Sequence, residues 1–135
     1  MIVVDSSVWI AHLRDLDTGA VRALRALGDP SDILVGDVIL LEVLQGAIDE
    51  QRAGRIEKDL RQFKVERMLD DQLAVRAARN YRNLRERGVT IRKTIDLVIG
   101  TFCLDRGHVL LHDDRDFDAM ALHLGLRVIA TEVKA

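Results

Sequence analysis

Three short aliphatic runs set the tightest limit on how this chain can fold. Ile2-Val3-Val4, Ile33-Leu34-Val35 and His108-Val109-Leu110-Leu111 read as strands, and their lack of polar alternation suits a sheet covered on both faces. No hairpin turn joins any two of them, and each is followed by a helix-type pattern. A fourth run, Arg127-Val128-Ile129-Ala130, comes near the end. Parallel strands need crossover segments, usually helices. The alternation therefore predicts an α/β fold with a central, mostly parallel sheet of four or five short strands sandwiched between helices.

The helices carry their own boundary signals. Ser7 to Arg14 reads as the first, and Asp17 as the cap of a second that runs through Leu27 and stops at Gly28-Asp29-Pro30. Asp37 opens VILLEVLQGAI, an amphipathic helix covers residues 52–63, and a longer one runs from Gln72 to Arg87, closed by Gly88 in a left-handed cap. Thr94 begins IDLVIGTFCL, which stops at Arg106-Gly107, and a last helix ends at Leu124. With no linker or repeat visible, residues 1–135 are expected to form a single domain.

A chain of 135 residues with 48% hydrophobic content can bury a sizeable core without disulfides. Cys103 is the sole cysteine and sits in an apolar run, which suits a buried thiol in a reducing compartment. No apolar run approaches the roughly 18 residues that span a bilayer. The apolar start is short and lacks a basic leader, so a cytoplasmic protein without membrane spans is expected. The net charge of −2 gives no overall basic footprint. Any attraction to nucleic acid must then come from a local patch or from bound cations.

Acids recur at positions where that architecture gathers ligands. In open parallel sheets these are the carboxyl ends of strands, where helix N-termini also point. Asp5 ends the first strand, and Asp113, Asp114 and Asp116 follow the third. Glu42 and Asp96 interrupt apolar helices in VILLEVL and TIDLVIG. Each acid has an ordinary explanation by itself: Asp5, Asp114 and Asp116 as helix caps, Asp96 as a first-turn charge, Glu42 on a solvent face with Val38, Gln45 and Asp49. Brought together, however, they would repel and raise one another's pKa unless a cation were present. Mg²⁺ or Mn²⁺ suits hard oxygen ligands, whereas the scattered histidines and lone cysteine give no zinc spacing. His108 and His112 read as a strand start and a strand end.

Asp5-Ser6-Ser7-Val8-Trp9-Ile10, Glu42 within a helix, Asp96-Leu97 opening a later helix and the segment LLHDDRDFDAM together resemble PIN-domain ribonucleases. More closely, they are similar to the VapC-type toxins of VapBC toxin–antitoxin modules, in order and over essentially the whole chain. The resemblance implies a PIN-like three-layer α/β/α sandwich and a Mg²⁺- or Mn²⁺-dependent endoribonuclease. It carries Asp5, Glu42, Asp96 and Asp114 over as the acidic quartet and Asp116 as an additional acid. Asp5 and Asp96 would be the most direct metal ligands. Ser6 or Ser7 would supply a hydroxyl beside Asp5. The family commonly has Asn where this chain has Asp113; Asp114 matches by its spacing to Phe117, with Asp113 as the alternative. A VapB-like antitoxin and a homodimer are the partners implied, with RNA as substrate.

RNA approaching such a cluster needs steering. RNLRERGVTIRK brings Arg82, Arg85, Arg87, Arg92 and Lys93 toward Asp96. Of these, Arg92 and Lys93 lie within one helical turn of a proposed ligand and are the expected phosphate contacts, while Arg82 and Arg85 read as a solvated helix face. Trp9 reads as core, so stacking platforms are scarce and recognition of a folded RNA by shape and backbone is expected. Two other enzymes that end a strand in Asp fit less well. A haloacid dehalogenase-type phosphatase wants a second Asp where Ser7 stands. A receiver domain wants an acceptor Asp where the second strand ends Val35-Gly36. The alternative from another class is a catalytically silent PIN-like module that binds RNA or protein without cutting.

Overall fold

The computed structural model describes residues 1–131. Four strands form one parallel sheet in the order β3-β2-β1-β4: β1 (Ile2–Val4), β2 (Ile33–Gly36), β3 (Lys64–Glu66) and β4 (Val109–Leu111). The helices are α1 (Ser6–Leu13), α2 (Gly19–Ala26), α3 (Asp37–Gln45), α4 (Glu50–Leu60), α5 (Asp71–Glu86), α6 (Thr94–Arg106) and α7 (Arg115–Leu124). They fall into two packed groups, α1 to α4 and α5 to α7. Successive strand residues point to opposite faces, yet Val3 and Val4, Leu34 and Val35, and Leu110 and Leu111 are all fully buried. The sheet is therefore covered on both sides, as its unbroken aliphatic runs require. No helix is long and apolar enough to cross a membrane among the described residues.

The register puts the ends of β1 and β4 side by side. Val4 pairs with Leu111, and the next residue, Asp5, donates its N–H to the Leu111 carbonyl at 2.9 Å. Chain segments more than a hundred residues apart thus finish at one edge. On the α6–α7 side the approach is close at Gly100. A Cβ there would overlap the sulfur of Met120, which is itself fully buried. Gly100 lies one helical turn after Asp96, so this contact sets how near α6 carries that acid to α7.

Several expected boundaries shift. Residues 64–66, KVE, form the edge strand β3, which the sequence did not announce, and the charged helix before it is Glu50–Leu60 instead of 52–63. Arg127–Ala130 is not a strand. Val128 makes a single parallel bridge to Leu110. Thr18, not Asp17, caps α2, its hydroxyl accepting the Val21 N–H at 3.1 Å. The left-handed stop expected at Gly88 holds, and Gly107 and Gly125, which follow α6 and α7, also have positive φ. Trp9 is 5% exposed and packs against Phe63, as a core residue should.

Candidate active site

Asp5 meets the cap expectation with only one of its two carboxylate oxygens. It has extended backbone and caps α1, its Oδ2 accepting the Ser7 N–H at 3.1 Å and the Ser7 hydroxyl at 2.6 Å. The other oxygen, Oδ1, is buried without any hydrogen-bond partner. A cap needs only one oxygen; the second is left facing inward. Burial raises the Asp5 pKa, and the Asp114 charge adds to it, against the opposing hydrogen bonds of Ser7 and Ser6.

Glu42 joins through the neighbouring serine. Ser6 Oγ donates to Glu42 Oε1 at 2.8 Å, bridging α1 and α3. Glu42 is half-buried, not on a solvent face, and burial lifts its pKa, with Ser6 and Lys93 lowering it and Asp5 raising it. Asp37 offers a contrast. It too follows a strand, but its Oδ1 accepts the N–H groups of Val38 and Met68 at 2.8 and 3.0 Å, a purely structural use.

Asp96 sits in the first turn of α6 at 3% exposure, and its Oδ2 is the second buried carboxylate oxygen without a partner. Its pKa is pushed up to about 7, by burial first and then by the charges of Asp5 and Asp114 and its hydrogen bond with Asp114. Asp114 moves the other way. Burial works to raise it, but the Asp116 N–H, the bond from Asp96 and the charges of Lys93 and Arg92 outweigh that and lower it. The two carboxyls thus titrate as a coupled pair, with the surroundings favouring the protonated form at Asp96 and the ionised form at Asp114.

Asp114 caps α7 through the Asp116 N–H at 2.9 Å, and carboxylate oxygens of Asp96, Asp114 and Asp116 all lie within 4.8 Å of one another. Asp116 is 8% exposed and accepts the backbone N–H of Arg92 at 3.3 Å. Lys93 Nζ stands 3.8 Å from Asp114 Oδ2. Asp113 is exposed and outside this group. Its contribution is its backbone N–H, given to Ser7 Oγ at 3.3 Å. Arg85 lies over the Tyr81 ring, 5.8 Å from its centroid, on the outer face of α5.

The residues singled out in sequence thus end at one edge of the sheet, in a graded arrangement. Asp96, Asp114 and Asp116 form the tight group, Asp5 adjoins it closely enough for its charge to act on Asp96, and Glu42 is tied in through Ser6. The sequence reading did not foresee the part of His112, whose Nδ1 accepts the Asp114 N–H at 3.1 Å. Only its position two residues before Asp114 could have hinted at it. The donor set suits a hard divalent cation: every candidate ligand is a carboxylate oxygen, and among the described residues two of these buried oxygens have no hydrogen-bond partner.

The PIN domain family model matches residues 2–122. Ribonuclease VapC11 of Mycobacterium tuberculosis is 32% identical over 124 residues, covering 90% of this chain and 92% of that protein. The VapC ribonuclease Mb1587 of Mycobacterium bovis matches to the same extent, at 32% identity over 90% of this chain and 92% of its own. Among solved structures, VapBC2 from Rickettsia felis, bound to a DNA fragment from its promoter, superposes with a TM-score of 0.76 at 14% identity, covering 98% of this chain and 100% of that one. The fold, the convergent acids and these relatives agree: the chain belongs to the PIN-domain family, among its VapC ribonucleases.

Proposed function

We propose that this chain is a divalent-cation-dependent endoribonuclease, the toxin of a type II toxin–antitoxin module acting in the cytoplasm. The observation that carries the reading is the convergence of buried carboxylates with two oxygens left unpartnered, on Asp5 and Asp96. Carboxylates held this close repel, and a cation reverses the penalty. Asp5 and Asp96 would hold Mg²⁺ or Mn²⁺ most directly, with Asp114, Asp116 and Glu42 completing its surroundings. When bound, such an ion stabilises charge developing on a phosphoryl oxygen and acidifies a water nucleophile.

The remaining work falls to the chain's own side chains. Glu42, held at Oε1 by Ser6 and made more basic by burial, would take the proton of the attacking water through Oε2. Ser7 orients Asp5 through its 2.6 Å hydroxyl bond and opposes the burial that raises the Asp5 pKa. Lys93, which faces Asp114 from the loop before α6, and Arg92 beside it steer the RNA backbone toward an otherwise negative site. A VapB-like antitoxin and a second copy of this chain are the proposed protein partners.

Purified protein and end-labelled structured RNA test the reading, with and without EDTA, beside Asp5→Asn and Asp96→Asn. Cleavage should need the cation and both aspartates. Cutting that survives chelation and both substitutions would overturn the mechanism, and folded, RNA-binding wild type that never cuts would favour the silent binding module.

A further inference from the structure

The proposed chemistry leaves His112 unused, although it stands immediately before the acidic turn. The residue directly follows β4, is 9% exposed, and its ring centroid lies 5.1 Å from that of fully buried Phe117. Its Nδ1 is 3.1 Å from the backbone nitrogen of Asp114. A peptide N–H only donates, so Nδ1 must present a lone pair and the ring proton resides on Nε2. That nitrogen points toward Asp118 Oδ1 at 3.5 Å. The preceding amide, of Asp113, is given to Ser7 Oγ. Two successive N–H groups of the turn are thus anchored, one by α1 and one by the end of β4.

We propose that His112 is a positioning residue: its Nδ1 fixes the Asp114 peptide and thereby places the Asp114 carboxylate beside Asp96 for uptake of a divalent cation. The inference rests on the cation-dependent reading of the acidic group. It differs from simple packing beside Phe117, because packing requires only a flat ring, whereas positioning requires an acceptor at one ring position. Removing a group that orients a ligand typically weakens metal affinity or activity ~10–100-fold.

Three substitutions separate the two roles. His112→Phe keeps a ring without an acceptor. His112→Asn puts an amide oxygen close to where Nδ1 sits. His112→Gln moves the polar atom out toward the Nε2 position and serves as the second acceptor-displaced variant should the phenylalanine overfill the site. The readouts are Mn²⁺ binding by calorimetry, kcat and KM on RNA, and the ring tautomer of His112 from long-range ¹H–¹⁵N spectra. We expect His112→Phe and His112→Gln to bind Mn²⁺ about tenfold more weakly and to lose kcat with little change in KM, His112→Asn to recover most of both, and the wild-type ring to carry its proton on Nε2. The ion titration and the spectra involve no RNA. Wild type that cuts nothing yet binds Mn²⁺ in this His112-dependent way would sink the nuclease reading and support this one. Wild-type affinity in both His112→Phe and His112→Gln, equal loss in His112→Asn and His112→Phe, or a proton on Nδ1 would each overturn it.

Discussion

Ser7 and Asp113, 106 positions apart in sequence, are joined by one hydroxyl: Ser7 Oγ accepts the Asp113 N–H at 3.3 Å while donating to Asp5 Oδ2 at 2.6 Å. That single atom couples the acid ending β1 to the turn that follows β4. Replacing it by alanine should leave the fold intact at a cost of ~2–4 kcal/mol, since two hydrogen bonds are lost and one of them is to a carboxylate. Ser7→Ala should nevertheless lower kcat ~10–100-fold, as expected when a ligand loses its orienting partner. Urea unfolding and single-turnover cleavage, measured side by side, separate the two effects.

Asp96 makes the stability of the ion-free protein depend on pH in an unusual direction. Its folded pKa is raised from 3.8 to about 7, so the folded state binds the proton more tightly than the unfolded chain. The stabilisation is complete below the unfolded pKa and is lost as pH rises through about 7. Asp96→Asn removes this dependence. In EDTA, the difference in melting temperature between Asp96→Asn and wild type should therefore widen in the variant's favour from pH 4 to pH 8. A large loss of stability at every pH would instead mark Asp96 as a structural cap.

Cation uptake should compete with that same proton. For a site that must release one proton with a pKa of about 7, apparent Mn²⁺ affinity at pH 6 should be about tenfold weaker than at pH 8. Calorimetry in buffers of different ionisation enthalpy should register the proton's release. Affinity that does not vary across this range would mean that Asp96 is not a ligand.

Gly100 tests how the fold sets the site. Because its Cβ would overlap the buried Met120 sulfur, Gly100→Ala should destabilise the protein by ~1–3 kcal/mol, the usual range for overpacking. It should also weaken cation binding by pushing α6 from α7. Adding Met120→Ala should restore binding more fully than stability, since the space would be relieved but apolar burial lost.

How much of this the sequence revealed depended on whether a feature was local. Ile2–Val4 announces β1 because a fully buried strand needs an unbroken aliphatic run, and Gly107 announces the end of α6 because a left-handed cap favours glycine. Lys64–Glu66 gave no such sign. An edge strand is held by its neighbour's backbone, and KVE has one apolar residue to offer. Val128-Ile129 misled for the opposite reason: the composition of a strand is present, but only one bridge to Leu110 forms. The acids divide likewise. Asp5 and Asp114 were visible as strand-ending residues, whereas the inward turn of Glu42 depends on Ser6, 36 positions away. The role of His112 is a matter of which nitrogen faces which amide, and spacing does not encode that.

The pairing of β1 with β4 has a bearing on synthesis. Asp5 and Glu42 leave the ribosome early, but Asp96, Asp114 and Asp116 come late, and the strand that brings the last two alongside Asp5 ends only at Leu111. A nascent chain stalled before that point holds its acids scattered, with no edge to gather them. The acidic edge is thus a late product of synthesis, assembled only once Leu111 has been added and β4 can pair with β1.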